Sequence, residues 1–197
     1  MICSITEIGL HAFEDMNTVT SLSLPEGLKK IEPEAFTGIR ITRLDLPSTL
    51  TSIGSWAFGG APLREINWTP TDISEIVDCA FHSSQITDWV VPANVTTLSV
   101  NTFGHIGRNR ALIQNLYCEE AMISQCEAAL QWRKDMGADV KVIPYQANSN
   151  GQVFYNNKWY DNAQDILSGN YAKKRIYTVE EAAKVSGQVN NIHLRYK

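Results

Sequence analysis

The chain of 197 residues, 44% apolar and 19% charged with a formal net charge of −4 and a pI near 5.6, has the composition of an ordinary soluble globular protein. Its mildly acidic balance gives no general attraction to phosphate, so nucleic acid is a poor default partner, and no run approaches the roughly 20 apolar residues of a spanning helix, so membrane insertion is not expected. Four cysteines, Cys3, Cys79, Cys118 and Cys126, are spaced too unevenly for a zinc site and too sparsely for a disulfide framework, which leaves buried thiols as the expectation.

The opening Met-Ile-Cys-Ser-Ile-Thr-Glu-Ile lacks the positive start and continuous apolar stretch of a secretory signal, so a cytoplasmic protein or a fragment is expected. From there the chain repeats. Ala12-Phe13, Ala35-Phe36, Ala57-Phe58, Ala80-Phe81 and Thr102-Phe103 place phenylalanine at intervals of 23, 22, 23 and 22, and a fixed period of that size decides the architecture before any local reading does. Ile5, Ile8, Ala12 and Phe13 match only the second half of a unit. Either upstream repeats lie outside the chain, or this half-unit acts as a cap.

Between the phenylalanines runs an apolar-x-x-apolar-x-apolar triplet: Val19, Leu22, Leu24; Ile41, Leu44, Leu46; Leu63, Ile66, Trp68; Ile86, Trp89, Val91; Ile113, Leu116, Cys118. Its last two members alternate as strand residues do, sending the residue between them to the opposite face. Pro25, Pro47 and Pro92 follow directly and end the strand, because proline removes a ladder donor. A third set of anchors, Leu28/Ile31, Leu50/Ile53, Ile73/Ile76 and Val95/Leu98, precedes the next phenylalanine. No unit buries its apolar set alone, whereas stacking places like over like in one core. The strands should run parallel, with a return path too short for a full helix and therefore extended or a brief helical turn, giving a right-handed coil.

The pattern Leu-x-Leu-Pro-x-x-Leu-x-x-Ile-x-x-x-Ala-Phe, from Leu22 to Phe36 and again from Leu44 to Phe58, resembles the BspA-like class of leucine-rich repeats over about residues 5–145. That resemblance implies a right-handed repeat solenoid of α/β type, mostly β. It also implies a binding scaffold, often on bacterial or protist surfaces, with no catalytic residues to carry over.

Farther along, Gly104-His105-Ile106-Gly107 with Arg108 and Arg110 lies in an expanded inter-repeat loop, and a lone Gly-x-x-Gly without flanking helices does not make a nucleic-acid module. Glu119 to Met136 reads as an amphipathic helix with Met122, Cys126, Ala129, Leu130 and Arg133 on one side and Gly137 as its stop. Residues 140–144 follow as a strand, and helix and strand together are expected to cap the stack. The polar run 146–151 marks a boundary, dividing a repeat domain at 1–147 from an appendage at 148–197 that no family resemblance covers. In it, Val153 to Tyr155 and Lys158 to Tyr160 flank Asn156-Asn157 as a hairpin. Thr178 and Glu181 form a capping box that starts a short helix, and Ile192 to Tyr196 alternates as a strand. Its many aromatics serve a mini-domain core before they serve recognition.

No chemistry stands out. His11, His82, His105 and His193 have no second ligand at metal spacing. Cys79 occupies the repeat position ahead of Ala80-Phe81 and has no neighbour to activate it. Phosphate loops, nucleophile elbows and paired carboxylates are missing from the sequence, and no cofactor, metal or enzymatic activity is expected. Binding is the remaining function, and the strand register predicts its surface: one outward column of Ser21, Arg43, Glu65, Asp88 and Asn115, and a second of Ser23, Asp45, Asn67, Val90 and Tyr117. The candidate partner-binding residues are Arg43, Asp45, Glu65, Asn67, Asp88, Val90, Asn115 and Tyr117, with Val90 and Tyr117 singled out as apolar on a polar face. A protein partner is expected. An adhesin at the cell surface and an intracellular interaction scaffold both fit.

Overall fold

The computed structural model describes residues 5–68, 71–104, 112–149, 151–156 and 158–169, and in it each of the three units between Leu44 and Phe103 supplies two short strands, whereas the unit from Leu22 to Phe36 supplies one. In chain order these are β1 (Glu7–Ile8), β2 (Lys30–Ile31), β3 (Arg43–Asp45), β4 (Ser52–Ile53), β5 (Glu65–Asn67), β6 (Glu75–Ile76), β7 (Asp88–Val90), β8 (Thr97–Leu98) and β9 (Asn115–Glu119). Strands of like position pair in parallel. Ile8 lies beside Ile31 and Ile31 beside Ile53 in β1–β2–β4, Ile76 beside Leu98 in β6–β8, Leu44 beside Ile66 in β3–β5, and Trp89 beside Leu116 in β7–β9. All of these residues are buried, because alternation sends them to the side opposite their neighbours, which are exposed or half-buried except Val90 beside Trp89.

The units are joined most regularly at the phenylalanine corner. The residue ahead of each Ala-Phe pair, His11, Glu34, Trp56 and Cys79, has φ of 54° to 58°, a left-handed conformation that side chains other than glycine seldom adopt. That turn swings the phenylalanine inward and aims its N–H at the next unit. Phe13 donates to Ala35, Phe36 to Ala57 and Phe58 to Ala80 at 2.8–3.0 Å, and Phe81 donates to Thr102 at 3.4 Å. The rings stack nearly parallel, with centroids 5.2 Å apart for Phe13–Phe36, 5.3 Å for Phe36–Phe58 and 6.0 Å for Phe58–Phe81. Each fully buried ring contributes about 2–3 kcal/mol of transfer free energy. Phe103 is also fully buried, and Trp89 lies against both Phe81 and Phe103 with ring centroids 5.0 Å apart, tilted to the first and edge-on to the second.

Strand pairing lapses once in both sets, between β5 and β7 and between β4 and β6. Trp68 stands there in place of leucine, edge-on to Phe81 and Trp89. One extra residue also separates it from the next anchor, Trp68 to Ile73 against Leu46 to Leu50. The corner bridges the lapse through Trp56, Phe58 and Gly60, which donate to Asp78, Ala80 and His82.

Beyond β9 the chain makes a 3-10 turn at Glu120–Met122 and then α1 (Ile123–Asp135). The helix begins later than its amphipathic pattern suggested, because the alternation of Leu116 and Cys118 keeps the backbone extended through Glu119. Trp132, not Arg133, turns to the core beside Cys126, Ala129 and Leu130, and Gly137 ends the helix at φ 78°. β10 (Lys141–Ala147) adds to β9 in parallel. The parallel order of the repeat strands does not continue past this point: β11 (Val153–Tyr155) pairs antiparallel with the end of β10, and β12 (Lys158–Tyr160) antiparallel with β11 as the expected hairpin. A turn through Asn156 at φ 48° permits this tight reversal. The sheet β7–β9–β10–β11–β12 is continuous, and the four-residue helix α2 (Asp165–Ser168) follows. The Gly-x-x-Gly loop from His105, the capping box at Thr178 and the strand at Ile192 lie outside the described residues.

The stack leaves Gly54 no room for a side chain: a Cβ there would stand 2.3 Å from the Pro33 nitrogen in the preceding unit, whereas one at Gly9 would meet nothing within 4 Å. Gly54→Ala is expected to lower stability by about 2–3 kcal/mol, and Gly9→Ala to change it by less than about 0.5 kcal/mol, both read from urea midpoints. Equal shifts in the two variants would show that the units are not this closely packed.

Candidate protein-interaction face

The strands β3 and β5 turn Arg43, Asp45, Glu65 and Asn67 outward, and their register sets Arg43 beside Glu65 and Asp45 beside Asn67. The four side chains meet. The Arg43 guanidinium donates from Nε and Nη2 to both Asp45 carboxylate oxygens at 2.9 and 2.7 Å, and from Nη1 to Glu65 at 2.5 Å. Asn67 donates to Asp45 at 3.3 Å. Next along, Asn115 donates to Asp88 at 2.7 Å, as does the Thr87 hydroxyl to its other oxygen at 2.8 Å. Arg43 beside Asp45 holds that carboxyl below the usual range. Within these hydrogen-bonded groups Asp45, Glu65 and Asp88 outnumber the one guanidinium, with the exposed Lys141 in register beside Asn115 at the end of the row, and the side chains are held in place by one another before any partner arrives.

Two of the predicted residues do not belong to this exposed face. Val90 is 1% exposed, and it packs with Tyr145, Val153, Tyr160, Ala163 and Ile166 in a second apolar cluster separate from the main core. Tyr117 is half-buried at its margin, edge-on to Tyr155 with ring centroids 5.6 Å apart, and burial followed by that neighbour pushes its phenol pKa up. The physical reason is the hairpin and α2, which fold back over the end of the strand face and use its apolar positions as their own core. Tyr145 fastens them there, its buried hydroxyl donating to the Val91 carbonyl at 2.5 Å. Sequence alone gives no signal for that bond.

The reactive-residue types are otherwise engaged. Burial, then Asp78, raises the Cys79 thiol pKa, the reverse of what a nucleophile needs. Cys118 and Cys126 share a hydrogen bond in the core that, with burial, pushes the Cys126 thiol up. His11 lies 2.8 Å from Glu14 and 3.8 Å from Glu34. These three bring one potential metal-ligand atom each within 4.8 Å of one another, but on an exposed edge where an ordinary polar contact accounts for the geometry. No helix among the described residues is long and apolar enough to cross a membrane.

A family model described as BspA type Leucine rich repeat region matches residues 3–111 in 6 copies. No curated protein and no solved structure matches the chain.

The network predicts a linked titration. Asp45 has its pKa lowered in the folded state, so its contribution to stability is present above the unfolded carboxylate range, about 3.9, and is lost as pH falls through the folded value. In Arg43→Ala, carbon-detected NMR should show the Asp45 carboxyl titrating at higher pH. Because Arg43 and Asp45 are both more than half exposed, the accompanying loss of stability at neutral pH should stay below about 1 kcal/mol. An Asp45 midpoint that does not move would mean that the pair is absent in solution.

Proposed function

The chain belongs to the BspA-type leucine-rich repeat family, and from that premise we propose that it is a non-enzymatic protein-binding module engaging a partner through Arg43, Asp45, Glu65, Asn67, Asp88 and Asn115. The observation that carries this reading is the exposed, pre-ordered acidic network on β3 and β5. Stacked repeats offer such extended faces, and side chains already fixed lose less freedom on binding. In this reading the repeats form a short right-handed solenoid, and α1 with β10 closes its last unit. Val90 and Tyr117 act as the floor under the hairpin and not as direct contacts. The partner is a protein surface rich in lysine and arginine, since charge complementarity sets the rate and specificity of such encounters.

An adhesion-type role at a bacterial or protist cell surface is the first physiological reading, supported by the family. An intracellular interaction scaffold is the second, supported by the buried free thiols Cys79, Cys118 and Cys126, which suit a reducing compartment.

Protease shaving of intact source cells, followed by detection with an antibody to residues 148–197, separates the two: loss of the chain from intact cells is expected for the adhesin, protection until lysis for the scaffold. For the face itself, photo-crosslinking at position 67 identifies the bound protein. The double variant Glu65→Lys/Asp88→Lys should then weaken its binding at least about tenfold, while Glu75→Lys on β6 leaves it unchanged. Equal effects from both variants would place the contact elsewhere.

A further inference from the structure

The fold brings two of the cysteines together. Cys118 ends the apolar triplet of β9, a position held by Leu24, Leu46, Trp68 and Val91 in the earlier units, and Cys126 lies on the buried side of α1. Eight residues apart in sequence, the two thiols meet through a side-chain hydrogen bond, and both are 0% exposed. Leucine, tryptophan or valine fills the same place elsewhere in the stack. Packing alone therefore does not call for sulfur in β9, still less for a second sulfur meeting it from the helix.

The hydrogen bond makes the two thiols unequal. Cys126 donates and Cys118 accepts, which holds the Cys118 thiol below its usual range, although burial and the carboxylates of Glu127 and Glu119 oppose the shift. The same bond, with burial, raises the Cys126 thiol. Thiol–disulfide exchange begins with a thiolate, so Cys118 is the group that attacks and Cys126 the one that resolves. The way to Cys118 leads through the turn between them. Neither the 3-10 turn at Glu120–Met122 nor α1 has a side-chain cap, and Glu120 and Ala121 are exposed, so this turn opens at lower cost than the ladders around it. Gln125 meanwhile holds α1 on β8, accepting from the Leu98 N–H at 2.8 Å and donating to the Thr96 carbonyl at 3.1 Å.

We propose that Cys118 and Cys126 form a redox-sensitive modification site, in which a small disulfide such as oxidised glutathione converts the pair into an intramolecular disulfide that staples α1 to β9. The Cys118 sulfur attacks one sulfur of the oxidant and releases the first glutathione thiol. The Cys126 sulfur then attacks Cys118 in the mixed disulfide and releases the second. The S–S bond of the oxidant is broken and that of the protein is formed, and the two cysteine protons pass to the leaving sulfurs. The site is separate from the strand face and independent of any partner bound there.

Oxidised glutathione is the probe, applied to the folded full chain, followed by alkylation in denaturant and digestion with trypsin. The peptide 111–133 holds both thiols and should be recovered two hydrogens lighter and unalkylated, while Cys79, buried at the phenylalanine corner, is alkylated in full. The oxidised chain should melt about 5 °C higher than the reduced one. In Cys126→Ser, which keeps a donor to Cys118, glutathione should stay attached at Cys118, whereas in Cys118→Ser the Cys126 thiol should remain unmodified. An unreacted Cys79 shows that both variants are folded. Peptide 111–133 alkylated at both cysteines overturns the proposal. Glutathione appearing on Cys79 as fast as on Cys118 in Cys126→Ser overturns it too, because the oxidant would then enter through the unfolded chain. A crosslinked chain that melts no higher overturns the staple.

Discussion

The repeat stack depends on one backbone conformation, the left-handed residue ahead of each Ala-Phe pair. With φ near 55° at His11, Glu34, Trp56 and Cys79, the chain turns sharply enough to place a small alanine at the bend and the phenylalanine in the core. The same turn delivers the phenylalanine N–H to the neighbouring unit. Each such residue costs about 1–2 kcal/mol relative to an ordinary conformation. Burial of the ring offsets that cost only when a neighbour stacks upon it. Phe36, Phe58 and Phe81 have neighbours on both sides, whereas Phe13 at the end of the column remains 42% exposed, and Ile5, Leu10 and Met16 of the same stretch of chain are exposed too. The corner and the stacking are therefore a single cooperative feature.

That dependence explains how the fold survives its own irregularity. Between β5 and β7, and between β4 and β6, the strands stop pairing, yet the corner bonds of Trp56, Phe58 and Gly60 continue without a gap. The bulk that interrupts the strands is also the bulk that fills the interior: Trp68 and Trp89 extend the aromatic column sideways. Past this point the chain changes strategy. It covers the strand face with a hairpin, and the exposed acidic network on β3 and β5 gives way to a buried apolar cluster under Tyr145 and Tyr160.

Much of this was legible in the sequence, for identifiable reasons. The phenylalanine period, the triplet and its proline reveal a repeat because stacking demands the same residue at the same place in each unit. The outward placement of Arg43, Asp45, Glu65 and Asn67 follows from a period of two. The second strand set was not legible, since strands as short as Lys30–Ile31 carry no alternation to read. Nor were the left-handed corners: Glu, Trp and Cys are not residues that announce a positive φ. Val90 and Tyr117 show a different limit, for an apolar residue on a polar face is equally a contact for a partner or a seat for the chain's own tail. Only the position of the hairpin decides between them.

The corner hydrogen bonds also govern how such a molecule changes length. Every unit presents the same donors on one side and the same carbonyls on the other, so a whole unit of 22 or 23 residues can be duplicated or lost with each new neighbour finding the groups it needs. A single inserted residue within the corner has no such remedy, because it would carry the phenylalanine out of the column and flip the alternation behind it. The extra residue between Trp68 and Ile73 sits outside the corner, where the strands have already parted. Evolution of this architecture is thus quantised, proceeding by duplication of whole units, with fractional changes confined to its seams.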